Sequence, residues 1–250
     1  MTPMLELKGI VRRYGGIVAT DHLNLSIAGG ETHAVIGPNG AGKTTLIHQI
    51  SGELSPNEGS MVFNGHDITH LPMHKRVGLG LARSYQITNI FRNCSVLDNL
   101  ALAVQARSGS SMRFWRPAIN DDQVFDQARE LAEKIGLAQR LDAMAASLAH
   151  GEQRLLEVGL ALATQPRMLL LDEPMAGMGP KESRSLLPLI QSLGNELTVL
   201  LVEHDMETVF QLADRISVLV SGRIIATGSP DEIRGNAEVR KAYLGDEVSV

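Results

Sequence analysis

The segment GPNGAGKTT, residues 37–45, constrains the fold of this 250-residue chain more than any other feature. It fits the pattern G-x-x-x-x-G-K-[ST] and stands between the apolar runs HAVI and LIHQI. The pattern requires a strand, a glycine-rich loop and a helix in that order, because backbone N–H groups at the helix start must face phosphate oxygens. An ordinary glycine turn would not need lysine and threonine at this offset. The sequence therefore predicts a phosphate-binding loop, or P-loop.

A second acidic element accompanies the P-loop. We expect Lys43 to reach the β- and γ-phosphates and Thr44 to bind Mg²⁺. Asp172 ends the apolar run MLLLD, where its carboxylate is placed to hold the metal, and Glu173 is placed to polarise an attacking water. An Asp-Glu pair alone is often only a solvated strand end, but its combination with a P-loop predicts ATP hydrolysis. The loop residues expected to contact nucleotide are Gly37, Pro38, Asn39, Gly40, Ala41, Gly42, Lys43, Thr44 and Thr45.

Apolar runs alternate with helical patterns over most of the chain. RMLLLDEP, LTVLLVEHD and RISVLVSGRIIATG read as strands, and KESRSLLPLIQSL and METVFQLA read as helices between them. This order predicts an α/β fold with a mainly parallel sheet covered by helices. NLALAVQA and QVFDQARELAEKIGL are helical without intervening strands. We expect a helical subdomain over about residues 87–150, inserted in a single domain of residues 1–250.

Composition restricts the compartment and the partners. A net charge of −5 argues against a large nucleic-acid surface, and the 44% hydrophobic content supports a sizeable core. The single Cys94 fits a reducing compartment. No apolar run approaches the ~20 residues of a membrane helix. Charged Glu6 and Lys8 interrupt any signal-peptide core at the N-terminus. We expect a cytoplasmic protein that reaches a membrane only through a partner.

Four further segments complete a family pattern, although each is weak alone. They are RRYGG with Tyr14, RSYQITNIF with Gln86, LAHGEQR at residues 148–154, and VLLVEHD with His204. With the P-loop and LLLDEP, they resemble an ABC transporter ATPase subunit in order and spacing over nearly the whole chain. The resemblance implies a P-loop NTPase core with an N-terminal antiparallel β part, and ATP and Mg²⁺ as ligands. It also implies that Tyr14 stacks on adenine, Gln86 contacts Mg²⁺, water and the membrane subunits, Glu173 is the catalytic base and His204 is the switch histidine.

LAHGEQR occupies the signature position of that family. In a head-to-tail dimer this position faces the ATP held by the partner's P-loop, which implies that Ala149, His150, Gly151 and Glu152 act in trans. The family has serine where this chain has Ala149 and glycine where it has His150. Loss of one hydroxyl hydrogen bond costs about 0.5–1.5 kcal/mol, so we expect a working site. Gly179 stands near the family's interface aspartate, which argues against direct aspartate-mediated communication.

The last third of the chain resembles one branch of the family. LVEHDMETVFQLADRISVL and GSPDEIRGNAEVRKAYLG are similar to ATPases of branched-chain amino-acid importers, and the RSYQ segment to the first of their two subunits. The resemblance implies permease subunits, a second ATPase subunit, an external binding protein that acts indirectly, and a peripheral position on the cytoplasmic face of the membrane. Residues 86–91 are expected to dock there, while MRFW at 112–115 either joins them or folds onto its own subdomain. Importers of urea or amides, a soluble ABC-type ATPase and a weakly hydrolysing nucleotide-gated module remain alternatives.

Overall fold

The computed structural model describes residues 3–84, 90–107 and 122–244. The strands in these residues are β1 (Leu5–Tyr14), β2 (Ile17–Ile27), β3 (Thr32–Ile36), β4 (Glu58–Phe63), β5 (His66–Asp67), β6 (Leu81–Ser84), β7 (Met168–Asp172), β8 (Thr198–Val202), β9 (Arg215–Val220) and β10 (Arg223–Gly228). The helices are α1 (Lys43–Ser51), α2 (Met73–Gly78), α3 (Val96–Arg107), α4 (Asp122–Lys134), α5 (His150–Leu162), α6 (Pro180–Gly194), α7 (Met206–Leu212), α8 (Pro230–Gly235) and α9 (Ala237–Leu244).

The strands form two sheets. The larger has the order β10-β9-β3-β8-β7-β6, in which every neighbouring pair is parallel except β9 and β10. The smaller has the order β2-β1-β4-β5 and is antiparallel throughout. The predicted α/β fold, with a mainly parallel sheet and an antiparallel N-terminal part, is confirmed.

Burial explains why these runs become central strands. Every residue of β3, β7 and β8 is buried, as expected for strands covered by layers on both faces. Because parallel strands end at one edge, the P-loop after β3, Asp172 at the end of β7 and His204 after β8 are brought to the same side of the sheet. The order of the strands, with β3 between β8 and β9, builds the site from distant parts of the chain.

Helices cover the larger sheet in separate apolar clusters. One cluster joins α3, α4, α5 and α6 to β7 and β8, and a second joins α1 to both sheets. Ala128 and Ile135 of the α4 region are fully buried in the first cluster, which is the apolar face of that amphipathic helix. No helix in residues 3–84, 90–107 and 122–244 is long and apolar enough to cross a membrane.

Candidate nucleotide site

The P-loop connects buried β3 to α1 and needs glycine for a steric reason. Gly42 caps the start of α1 with φ +108°, and a Cβ at this position would lie 2.2 Å from the backbone oxygen of Ala19. Any side chain here would therefore force the loop away from β2. The N-terminus of α1, with its positive end of the helix dipole, opens into the space that the loop encloses.

The turn between β9 and β10 holds the P-loop against β2. The N–H of Gly222 donates to the backbone oxygen of Ala41 (2.8 Å), and the N–H of Asp21 donates to the backbone oxygen of Gly222 (2.9 Å). The Asp21 carboxylate also accepts a hydrogen bond from Nε of Arg223 at 2.7 Å. The shape of the loop thus depends on a hairpin that lies far away in the sequence.

A cavity of about 270 Å³ lies over the P-loop. Its lining consists of Ile17, Val18, Ala19, Asn39, Gly40, Ala41, Gly42, Lys43, Thr44, Thr45 and Glu173. The structure therefore brings most of the predicted loop and the predicted base to one space. Gly37 and Pro38 do not line the cavity, but their backbone oxygens accept hydrogen bonds from Nζ of Lys43 at 2.7 and 3.1 Å.

The electrostatics of the cavity suit a polyanion. Burial lowers the pKa of Lys43, and the nearby charges of Glu173 and Asp172 oppose this shift. The ammonium is held by carbonyl oxygens of the loop, and Lys43 is the first residue of α1, so its charge and the positive end of the helix dipole both favour a negative ligand. Phosphate oxygens are the ligands that this combination accommodates best.

Asp172 is a buried carboxylate with a basic partner. Its Oδ2 lies 3.0 Å from Nη2 of Arg83, whose Nη1 donates to Glu53 at 2.7 Å. Burial raises the pKa of Asp172, although the charge of Arg83 acts in the opposite direction. The sequence analysis missed Arg83, which reaches Asp172 because β6 lies beside β7 in the sheet.

The residues available for Mg²⁺ are hard oxygen donors. Thr44, which carries a hydroxyl, lines the cavity, and Asp172 contributes a carboxylate at the same sheet edge. Across the described part of the chain, no group of three or more His, Cys, Asp or Glu side chains is placed to hold a metal ion. A hydroxyl and one carboxylate fit Mg²⁺, which takes the rest of its shell from phosphate oxygens and water rather than from an all-protein cage.

Glu173 has an unusual backbone conformation. Its φ is +44°, in the left-handed region that non-glycine residues rarely occupy, and its N–H donates to the backbone oxygen of Val202 at 2.8 Å. Strained residues of this kind are concentrated at active sites, where the surrounding structure holds them in place. The conformation leaves Glu173 on the wall of the P-loop cavity.

His204 follows β8 and is accessible from solvent. Its side chain is 62% exposed, and Nδ1 lies 3.7 Å from Oε2 of Glu203. The parallel pairing of β7 and β8 places His204 at the same sheet edge as Asp172. Gln86, the remaining predicted metal and water ligand, lies outside the described residues, as does the MRFW segment at 112–115.

The β1–β2 hairpin forms the side of the cavity away from the phosphate loop. Tyr14 is 42% exposed, and the Arg12 guanidinium lies 5.0 Å from the centre of its ring. Ile17 and Val18, rather than Tyr14, line the cavity, and the sequence analysis did not single them out. The sequence could have indicated them, because two apolar residues directly follow the Gly15-Gly16 turn. An exposed hairpin tip is usually polar at such positions.

The signature segment begins α5. Ala149 is the N-cap residue, and its N–H donates to the Glu152 carboxylate at 2.9 Å, while Arg140 lies 3.2 Å from the same carboxylate. Alanine has no side-chain acceptor, so only half of a capping box is present. Within residues 3–84, 90–107 and 122–244, nothing from the start of α5 lines the P-loop cavity. His150 instead lies near Gly177 in the loop that follows Glu173.

This fold and site define an ATP-binding cassette, and the chain belongs to the ABC transporter family, whose model matches residues 20–176. A second model, of the branched-chain amino acid ATP-binding cassette transporter, matches residues 223–249. As an ATPase of this class, the chain binds nucleotide and hydrolyses ATP to drive transport. Cassettes of this class act in pairs with membrane-embedded permease subunits.

Two relatives and one solved structure are similar to this chain over nearly its whole length. The chain is 37% identical to the high-affinity branched-chain amino acid transport ATP-binding protein LivG of Escherichia coli K12, over 98% of each chain. It is also 37% identical, over 98% of each chain, to the corresponding protein BraF of Pseudomonas aeruginosa. A crystal structure of the ADP conformation of an ATP-binding cassette of an ABC transporter superposes with a TM-score of 0.85 at 28% identity, covering 98% of this chain and all of that one.

Proposed function

We propose that this chain is the ATP-hydrolysing subunit of an importer for branched-chain or related amino acids. The match of residues 223–249 to the branched-chain model and the similarity to LivG and BraF support this cargo class. The observation that carries the catalytic part is that Glu173 lines the same cavity as the P-loop, next to Lys43. The chain itself is not expected to touch the cargo, which the permease and an external binding protein would select.

The residues of the cavity have distinct roles in hydrolysis. The loop N–H groups and Lys43 hold the β- and γ-phosphates, and Ile17 and Val18 offer an apolar surface to the base beside Tyr14. Thr44, Asp172 and Gln86 would hold Mg²⁺, which would supply positive charge to the phosphate oxygens. Glu173 accepts the proton of the water that attacks the γ-phosphorus, and ADP leaves.

A second subunit completes the site. Ala149, His150, Gly151 and Glu152 do not line the chain's own cavity, and they carry the N–H groups of the N-terminus of α5. Such a terminus binds an anion without a side-chain charge, so it fits the γ-phosphate held by a partner's P-loop. His204 would contact the same phosphate from within the chain. The partner is a second ATPase subunit, either different or identical.

The permease would dock on the helical subdomain of about residues 87–150 within this single domain. Among the described residues of this subdomain, three large apolar side chains are exposed: Phe91 at 58%, Met144 at 46% and Leu102 at 43%. Backbone hydrogen bonds from Ala145 to Cys94 and from Ala146 to Arg92 join the segments that carry Phe91 and Met144. A cavity of about 290 Å³ lies between α2, β6 and α5. Ser84, the residue that precedes the segment 85–89, is one of its lining residues. Docking here would place the chain on the cytoplasmic face of the membrane.

Two substitutions test the catalytic assignment in the assembled complex. Lys43→Ala removes the ammonium from the phosphate site, so we expect loss of ATP binding. Glu173→Gln keeps the size of the side chain but cannot take a proton, so ATP stays bound while hydrolysis slows by about 10²–10⁴-fold. Binding is measured with a fluorescent ATP analogue and hydrolysis by phosphate release. Hydrolysis by Glu173→Gln at the wild-type rate would refute the general-base assignment.

Light scattering on Glu173→Gln tests the dimer, and cargo stimulation tests the substrate class. The mass is compared with and without ATP and Mg²⁺, alone and with a candidate second ATPase subunit. Association only with the second subunit supports a heterodimer, and self-association supports a homodimer. In vesicles that contain the full complex, binding protein loaded with leucine should accelerate hydrolysis, whereas acceleration only by urea- or amide-loaded protein would assign the cargo to those classes instead.

A further inference from the structure

A buried carboxyl group links the two loops that carry Glu173 and His204. Glu203 directly follows β8 and is 0% exposed. Its Oε1 accepts a hydrogen bond from the N–H of Met175 at 3.1 Å, and its Oε2 accepts one from the N–H of His204 at 3.2 Å. Each oxygen is therefore used by a different loop at the edge of the sheet.

This position is costly for a glutamate. Burial raises the pKa of Glu203, and the charge of Glu173 acts in the same direction, while the two N–H donors oppose them. The preceding β8 run, TVLLV, is entirely buried and, after Thr198, entirely apolar. A carboxyl group at the end of such a run is tolerated only when its oxygens have partners. Those partners belong to the two loops that flank the phosphate site.

The loop of Glu173 needs such an anchor. Glu173 has φ +44°, a conformation that a non-glycine residue keeps only when neighbouring contacts impose it. Three hydrogen bonds impose it here: Glu173 N–H to the Val202 oxygen (2.8 Å), Ala176 N–H to the Glu173 oxygen (3.0 Å) and Met175 N–H to Glu203. Only the last involves a side chain, so it is the one that substitution can remove.

We infer that Glu203 is a positioning residue for hydrolysis, which fixes the loop of Glu173 and the loop of His204 at one separation. The inference rests on the proposed role of Glu173 as the base. A carboxyl group suits this task because it offers an acceptor to each loop. Glutamine has one carbonyl oxygen and an NH₂ group that cannot accept from an N–H, so Glu203→Gln keeps the volume and loses one of the two attachments.

The first test is a double-mutant cycle with Glu173→Gln. Glu203→Gln in the otherwise wild-type complex is expected to lower kcat by about 10- to 100-fold, the factor that one hydrogen bond to a charged group supports, with an unchanged KM for ATP. In the Glu173→Gln background the further loss in single-turnover hydrolysis should be much smaller, since the part of the effect that passes through Glu173 is already absent and only the part through the His204 loop remains. Equal losses in both backgrounds, or a loss confined to KM, would overturn the inference.

Glu31→Gln is the matched control. Glu31 also accepts a backbone N–H, from Ala28, and contacts a histidine, His33, but it precedes β3 and so lies at the opposite end of that strand from the P-loop. The same chemical change there should leave kcat unaltered. If Glu203→Gln does not fold, Glu203→Asp replaces it, because the shorter side chain keeps the charge but cannot reach both amides.

Hydrogen exchange gives a readout that does not depend on hydrolysis. Glu203→Gln should accelerate exchange at the amides of Met175 and His204 together, and Glu31→Gln should not. Unchanged exchange at either amide would refute the link between the loops. If Glu173→Gln hydrolyses normally, the base assignment fails on its own, while exchange still decides whether Glu203 joins the loops.

Discussion

Substitution of Ala149 by serine should stabilise the protein by completing the cap of α5. The Glu152 carboxylate already accepts the N–H of Ala149 at 2.9 Å, but alanine returns no hydrogen bond to the N–H of Glu152. The backbone of Ala149, at φ −61° and ψ 158°, already has the extended conformation of an N-cap residue. An N-cap serine exceeds alanine by about 1 kcal/mol, so Ala149→Ser should raise the free energy of unfolding by that amount. For a chain of this size the gain corresponds to about 2–4 °C in Tm.

The chain contains a matched control for this prediction. Ser229 caps α8 with both halves of the box: its N–H donates to Glu232 at 2.7 Å, and its hydroxyl accepts the N–H of Glu232 at 3.3 Å. Ser229→Ala should therefore lose what Ala149→Ser gains. Urea unfolding followed by circular dichroism measures both free energies, provided that the slope of the transition is the same in each variant.

Two results would refute this reasoning about Ala149. If Ser229→Ala costs about 1 kcal/mol and Ala149→Ser gains nothing, the half-box already gives α5 its full stability. If Ala149→Ser destabilises the protein, the surroundings of His150 are arranged for alanine and exclude a hydroxyl. ATP hydrolysis by the assembled pair, measured in parallel, should change only modestly, because the helix N–H groups contact phosphate in either variant.

Two further predictions concern buried charges. Arg76 donates from Nε to the Leu71 oxygen and from Nη1 to the last-turn carbonyls of α1, and burial lowers its pKa to about 10. Arg76→Met should therefore lower the free energy of unfolding in the urea assay by about 3–5 kcal/mol. A loss below about 1 kcal/mol would refute the capping role of Arg76. Burial raises the pKa of Asp172 above 3.8, so the folded state binds its proton more tightly than the unfolded state, and stability falls as pH rises from 3.8 through the raised pKa. Asp172→Asn should therefore have a higher Tm than wild type in mildly alkaline buffer, by a margin that shrinks as pH is lowered toward 3.8; a margin that does not vary with pH would contradict this.

Local patterns in the sequence were sufficient for the phosphate loop and the class of sheet. The P-loop is predictable because its glycines, Lys43 and Thr44 occur at fixed offsets within one strand–loop–helix unit. The parallel sheet is predictable because strands buried on both faces contain unbroken apolar runs, such as AVI in β3, MLLL in β7 and VLLV in β8. The P-loop motif and the apolar strand runs each extend over only a few consecutive residues. Over such a short distance the residue types determine the backbone conformation directly.

Contacts between distant segments were not predictable in this way. Arg83 meets Asp172 only because β6 pairs with β7, and Glu203 meets Met175 only because β8 lies next to β7. The local sequence of a strand, such as LARS or VLLVE, does not indicate which strand will pair with it in the sheet. Ile17 was missed for a related reason, since its role on the cavity wall depends on how the hairpin packs on the P-loop.

The strand order also determines when, during synthesis of the chain, the P-loop acquires the strands that support it. β3 carries the P-loop near the N-terminus, yet its hydrogen-bonded neighbours are β8 and β9, which lie beyond residue 197. The turn at Gly222, which holds the loop against β2, is made later still. A ribosome must therefore translate most of the message before the phosphate loop has its supports, and until then the nascent chain exposes apolar β3 without partners. We therefore expect nucleotide binding to require β8, β9 and the turn at Gly222, so that a chain truncated before β8 should not bind nucleotide even though every residue of the P-loop is present.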